Sequence, residues 1–268
     1  MKRKLISCFL YLLLSALCYG QTGKLFTVDN ELSSSMINCI YQDKEDIIWI
    51  ATEDGLNRYD GAKFSVYKHS FHEEHSLHNN YVRTLFQDTK GTFFIGTLNG
   101  LQTYDHATGV FSNVPMLSKT GQKLEANIAT IIERSNGEIL IGTSGHGIFS
   151  LNIKQGCLEA LQMPEYVPSY FISQLYEDRK GTLWVITNNK GIYSIDKDKK
   201  IIRHQSEKGI VWPSSICEDE AGNIYAGCLK NGLFKYNPRT YSFAHINYPA
   251  QPQLPVKALY CMNQYEIY

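Results

Sequence analysis

The chain has 268 residues, 43% hydrophobic and 19% charged, a globular composition with enough apolar material for a sizeable core. Basic and acidic residues balance at 26 each, which leaves no excess positive charge for a nucleic-acid backbone and predicts that this chain binds none. Aromatic residues make up 12%, with Tyr outnumbering Phe 18 to 12, a proportion that suits strands and ligand-facing surfaces.

The N-terminus opens with the basic stretch "MKRK". The apolar run Leu5 to Leu17 follows, and then the small residues Cys18 and Gly20 stand before Gln21. That order of basic, apolar and small residues predicts a secretory signal peptide over 1–20. An uncleaved anchor is the alternative, but a spanning helix needs about 20 apolar residues. Acylation of Cys18 would make a lipoprotein, although Leu17 before it fits poorly. With Lys2, Arg3 and Lys4 removed, the mature chain carries a slight negative excess.

From here the sequence repeats. "IIWIATEDGLNRYDG", "TFFIGTLNGLQTYDH", "EILIGTSGHGIFSLN", "TLWVITNNKGIYSID" and "NIYAGCLKNGLFKYN" share one grammar, aligned on Gly55, Gly100, Gly147, Gly191 and Gly232. A strand precedes each ("INCIYQD", "VRTLFQD", "IATIIER", "ISQLYED", "SSICED"). A tight turn at Asp46, Gly91, Gly137, Gly181 or Gly222 leads into a nearly all-apolar second strand. A polar turn, a third strand and a less regular fourth complete the unit.

Four short antiparallel strands in each period of about 40–45 residues are the signature of a β-propeller blade. A second strand apolar on both sides reads as one buried between neighbouring blades. The fold expected is therefore all-β: a β-propeller of four-stranded antiparallel blades, five complete plus a partial sixth. The blades fall at about 32–67, 77–114, 126–162, 170–205, 211–247 and 255–268, within an incomplete propeller over 21–268. "KLFTV", Lys24 to Val28, reads as a closing strand of the kind that joins the two ends of a ring. An open blade face would expose apolar surface on the order of several hundred Å², so the chain is expected to be a fragment of a longer, seven-bladed ring.

Two of the seven cysteines, Cys8 and Cys18, lie in the leader. The alignment places Cys39, Cys217 and Cys228 where other blades carry Thr, Ile, Tyr or Gly, so they read as small buried side chains.

Few residues suggest chemistry. His69, His72, His75 and His78 recur every third residue beside Glu73 and Glu74, a cluster that could hold a transition metal. They fall in a blade-to-blade loop, where that spacing does not bring ligands together as a helix would, so no metal site is predicted. "GTSGHG" lacks the following helix of a phosphate loop. No nucleophile, base and carboxylate constellation stands out, so neither catalytic residue nor cofactor is expected.

Binding is better supported. In a propeller, the turn between strands two and three and the loop entering each blade lie on one face, around the channel. The turns offer Glu53, Asp54, Asn99, His146, Asn188, Asn189, Lys190, Lys230 and Asn231. The entering loops offer Asn38, Asn79, Asn80, Tyr81, Arg83, Tyr170 and Trp212. Amides with a few aromatics form a surface that holds sugars by hydrogen bonding and ring stacking. Asn is also an ordinary turn former, which accounts for any one of these positions taken alone.

"LSSSMINCIYQDKEDIIWIATEDGLNRYDGAKF" and "LHNNYVRTLFQDTKGTFFIGTLNGLQTYD" resemble the two-component regulator propeller repeat: an aromatic-Gln/Glu-Asp, then Trp-Ile-Gly-Thr, Gly-Leu and Tyr-Asp. Blade three departs, with Glu133-Arg134 for the acidic pair and Leu140 for Trp. Blade five has Ala226-Gly227-Cys228 for Ile-Gly-Thr. The resemblance implies the periplasmic sensor region of a hybrid two-component system. The implied partners are an oligosaccharide or other small ligand, a homodimeric mate, and later propeller, transmembrane, kinase and DNA-binding parts of the same inner-membrane protein. Two other readings are an exported propeller enzyme, such as a lyase or glycoside-acting protein, and a non-catalytic interaction scaffold.

Overall fold

The computed structural model describes residues 25–162, 171–188, 190–204, 206, 209–247 and 254–260. Residues 1–24, which include the expected signal peptide, and Tyr170, Asn189 and Cys261 fall outside them. Among the described residues the chain is all strand and turn, apart from one 3-10 turn at Val28–Asn30.

Five antiparallel sheets follow one another as blades, each paired in sequence order. Blade one is β1 (Ile37–Gln42), β2 (Ile48–Thr52), β3 (Gly55–Tyr59) and β4 (Phe64–Tyr67). Blade two is β5 (Val82–Gln87), β6 (Phe93–Thr97), β7 (Gly100–Asp105) and β8 (Val110–Val114). A small hairpin, β9 (Met116–Leu117) and β10 (Lys123–Leu124), precedes blade three, which is β11 (Asn127–Glu133), β12 (Ile139–Ser144), β13 (Gly147–Asn152) and β14 (Cys157–Ala160). Blade four is β15 (Ile172–Glu177), β16 (Leu183–Thr187), β17 (Gly191–Ile195) and β18 (Ile201–His204). Blade five is β19 (Pro213–Glu218), β20 (Ile224–Cys228), β21 (Gly232–Asn237) and β22 (Ser242–His245). The β9–β10 hairpin, which the repeat pattern does not announce, pairs in parallel with β14 and widens blade three to six strands.

The grammar of the repeat has local causes. In four of the five blades the aspartate after the first strand accepts backbone N–H groups of its own turn: Ile47 to Asp43, Thr92 to Asp88, Thr182 to Asp178 and Asn223 to Asp219, at 2.7–2.9 Å. Its second oxygen takes the Trp49 or Trp184 indole N–H at 2.7 and 2.9 Å, and in blade five the Tyr225 hydroxyl at 3.1 Å. The turn glycines have φ of 78–90°, and Asp46, in their place, takes 61°, a conformation Asp tolerates better than most residues. At the other end of the second strand, buried Thr52, Thr97, Thr143 and Thr187 donate to the carbonyl of the aligned glycine at 2.8–3.0 Å.

Blades meet through two devices. The Gln or Glu before the aspartate accepts a backbone N–H from the preceding blade's turn: Lys44 to Gln87, Thr89 to Glu133, Ser135 to Glu177 and Arg179 to Glu218, at 2.5–2.9 Å. Beneath this staple the second strand is notched. A Cβ on Gly96 or Gly142 would fall 2.6 Å from Cγ2 of Ile128 or Ile172 on the next blade. The same notch at Gly227 receives Val256, so residues after blade five dock as a further first strand would. The apolar clusters span these interfaces, with Trp49, Val82 and Phe93 joining blades one and two and Trp184, Ile216 and Phe234 joining blades four and five.

Two expectations change. Leu25–Thr27 form no strand; Phe26 packs its ring on Tyr59 and Phe64, 5.2 and 5.0 Å away in blade one. Those two rings are themselves stacked, 4.7 Å apart, so Phe26 joins a three-ring cluster. Cys217 is disulfide-bonded, whereas Cys39, Cys157 and Cys228 are free thiols. A strand alignment compares side-chain sizes and is blind to which sulfurs tertiary structure brings together.

Candidate functional site

Neighbouring first strands pack on one another, β1 on β5, β5 on β11, β11 on β15 and β15 on β19, so they ring the propeller axis. In every one the register slips at the same place, skipping Asn38, Arg83, Ala129, Ser173 and Ser214. Such a bulge re-aims the skipped residue. Here all five, with Lys257 beside Val256, line one cavity of about 840 Å³.

A second tier lies just above. Met36, Tyr81, Phe171 and Trp212, each immediately before its first strand, also line the cavity. Their carbonyls accept the N–H groups of Glu53, Leu98, Asn188 and Leu229 at 3.0–3.1 Å, which ties each entering loop to its own blade's second turn. Phe171 and Trp212 are 52% and 49% exposed, so each offers an open ring to the cavity it lines. Trp212 has φ of 55°, a left-handed conformation unusual for a bulky residue. Lys230 sets its ammonium 4.1 Å from the Trp212 ring centroid.

The polar groups are oriented. Tyr81 donates its hydroxyl to Glu53 at 3.2 Å; burial first, then that bond, raises the phenol above its usual pKa and keeps it a neutral donor. Arg83 donates through Nη1 to Asn127 at 2.8 Å and Ser144 at 3.3 Å. Asn38 donates to the Val82 carbonyl at 2.8 Å. Ser173 donates to the Ile186 carbonyl at 3.1 Å, and Ser214 to the Val256 carbonyl at 2.5 Å, with the Gly227 carbonyl 3.1 Å away.

Asn38, Glu53, Tyr81, Arg83, Asn188 and Trp212 thus converge, with Lys230 joined through Trp212. Other candidates have different tasks. Asp54 pairs with Lys68 at 2.6 Å and takes Asn80 at 3.1 Å. Asn79 caps Tyr81 N–H at 2.8 Å, and Asn231 donates to the Gly209 carbonyl at 2.6 Å. His146 and Lys190 sit on exposed turns. Asn99 lines a separate cavity of about 370 Å³ with His78 and the β9–β10 hairpin. The histidines do not gather: His69 faces the Leu77 carbonyl at 2.7 Å and His78 lies 3.8 Å from Glu125. Among the described residues no group of three His, Cys, Asp or Glu is placed to hold a metal. Ala129, Ser173, Ser214 and Lys257 were missed, although alignment on Asn38 and Arg83 was signal enough to find them.

The two-component regulator propeller model matches residues 31–54 and 166–189, the same part of blades one and four. "Histidine kinase P4" of Formosa agariphila is 39% identical over 54 residues, 20% of this chain and 4% of that protein. The extracellular domain of the putative hybrid two-component system BT3049 from B. thetaiotaomicron superposes with a TM-score of 0.72 at 25% identity, over 82% of this chain and 31% of its own. A streptogramin B lyase has a TM-score of 0.67 at 15% identity, over 88% and 76%, a likeness of fold alone. The chain therefore spans under a third of either signalling relative.

Proposed function

From a chain that carries two-component regulator propeller repeats, we propose a ligand-sensing propeller of a hybrid two-component signal-transduction protein. It detects an oligosaccharide outside the cytoplasm and signals to a histidine kinase encoded in the same polypeptide. In this reading residues 1–20 export the chain and 21–268 belong to the sensor. The full-length protein sits in the inner membrane, homodimerises and carries no catalytic residue in this part.

The observation that supports it is the two-tiered mouth, where every blade contributes its bulged residue to one cavity beneath exposed Phe171 and Trp212. Sugars need what such a mouth provides: rings to stack on and fixed hydrogen-bonding groups around them. A bound ligand stabilises the fold by about 2.7 kcal/mol at 100 times its Kd. Thermal melting of the chain against a panel of oligosaccharides should reveal one that raises the Tm, an effect that Trp212→Ala removes. If no sugar raises the Tm at saturation, the sensing reading is wrong.

A further inference from the structure

The charges at the mouth are one-sided. Arg83 and Lys257 are the ionisable groups of the bulge tier, and Lys230 lies over Trp212 at the rim. Within the cavity lining Arg83 and Lys257 stand against one carboxylate, Glu53, which takes the Tyr81 hydroxyl, and Lys230 adds a third cation at the rim. Among the described residues none of the three cations sits in an ion pair. Arg83 is held by neutral partners, Asn127 and Ser144, through one nitrogen. It is therefore aimed but not neutralised.

Resting on the oligosaccharide reading above, we propose that the ligand is an acidic sugar, bearing a carboxylate or a sulfate ester. Its anionic group meets Arg83 and Lys257. An unneutralised guanidinium fixed in a partly buried cavity is suited to forked hydrogen bonds with such an oxyanion. The sugar ring lies on the exposed aromatics Phe171 and Trp212, with the Lys230 ammonium at the edge of that platform. Ser173 and Ser214 spend their protons on backbone carbonyls, so their oxygens accept from sugar hydroxyls.

Calorimetric titration of the full chain with trigalacturonate, a sulfated galactose trisaccharide and uncharged galactotriose tests this. An acidic trisaccharide should bind about tenfold more tightly than galactotriose at low salt, a difference of about 1.4 kcal/mol. That advantage should shrink in about 0.5 M NaCl as screening shortens. The acidic sugar that binds better identifies carboxylate or sulfate. Lys257→Gln, at an exposed position that leaves the fold alone, should weaken acidic binding several-fold. Lys154→Gln, on the exposed β13–β14 turn, should leave it unchanged. Equal affinity for galactotriose, lost in Trp212→Ala but untouched by Lys257→Gln, overturns the charge proposal and leaves the oligosaccharide reading standing. Binding by none of the three, with a neutral sugar of the melting panel raising the Tm, overturns the charge proposal alone; no Tm rise with any sugar overturns both.

Discussion

Asp178 does three things with two oxygens. It closes the turn on Lys180 and Thr182 through one and receives the Trp184 indole through the other. Aspartate and tryptophan therefore stand six residues apart in blades one and four for a reason of hydrogen bonding. Blade two keeps Asp88 for the turn alone, with Phe94 in place of Trp, and blade three carries Arg134 and Leu140 at the two positions. His204 shows the same economy. It is buried beside Trp184, bonded to Ser194 at 2.7 Å and to the Tyr241 carbonyl at 3.0 Å. Burial holds its pKa below the ordinary 6.5, only partly offset by the Tyr241 bond. The unfolded chain then binds the proton more readily than the folded one. Its contribution is complete above pH 6.5 and is lost as pH falls from there toward the folded pKa, with a slope of at most about 1.4 kcal/mol per pH unit. Urea midpoints measured from pH 8 to 5 should show this loss, and His204→Gln should flatten the part due to this residue.

The blade is the unit at the next scale, and what makes it one of a series is its notch. Gly142 leaves room for Ile172 and Thr130, whose methyl carbons would each lie 2.6 Å from an added Cβ. Gly142→Ala should cost about 1–3 kcal/mol, the usual range for overpacking a filled core. Ile172→Ala alone should cost about 2–5 kcal/mol by leaving a cavity. In the double variant the new methyl enters that cavity, so the two losses should fall clearly short of adding. Denaturant titration of the four chains measures the coupling, and strict additivity would show that the notch is not a contact between blades. The staple above it, Glu177 to Ser135, works on the same interface from its polar side.

Over the whole molecule, the blades are equivalent in sequence but not in surroundings. Ile40 in β1 is 62% exposed, whereas its counterparts Leu85, Ile131, Leu175 and Ile216 are 1–6% exposed because a preceding blade covers them. Ile40→Ala should therefore change stability by less than about 0.5 kcal/mol, as surface substitutions do. Leu175→Ala should cost about 2–5 kcal/mol. Similar losses at the two sites, read from urea midpoints of this chain, would mean that blade one's face is covered in solution. Gln42 is exposed at the staple position for the same reason, and its amide turns to Asp46 instead.

By itself the sequence determined the blade: its period, its four strands, its turns and the positions of its apolar runs. These depend on interactions within about 45 residues, namely alternation, glycine at positive φ and the aspartate that closes its turn, so they recur visibly. It also made part of the mouth legible, since Asn38, Arg83, Tyr81 and Trp212 stand where entering loops must meet an axis. Tertiary structure alone decided which of the polar turn residues face that axis. Asn80, Asn231 and Asp54 share their composition with Asn38 and Asn188, yet are spent on staples between loops. The bulge that re-aims Arg83, Ser173 and Ser214 is a slip in pairing between the first two strands of a blade; alignment names its position, and only the paired strands show the slip. The β9–β10 hairpin and Phe26 likewise take partners, β14 and the Tyr59–Phe64 pair, that the repeat pattern does not name. A repeat fixes what each blade is; only closing the blades against one another fixes what each residue touches.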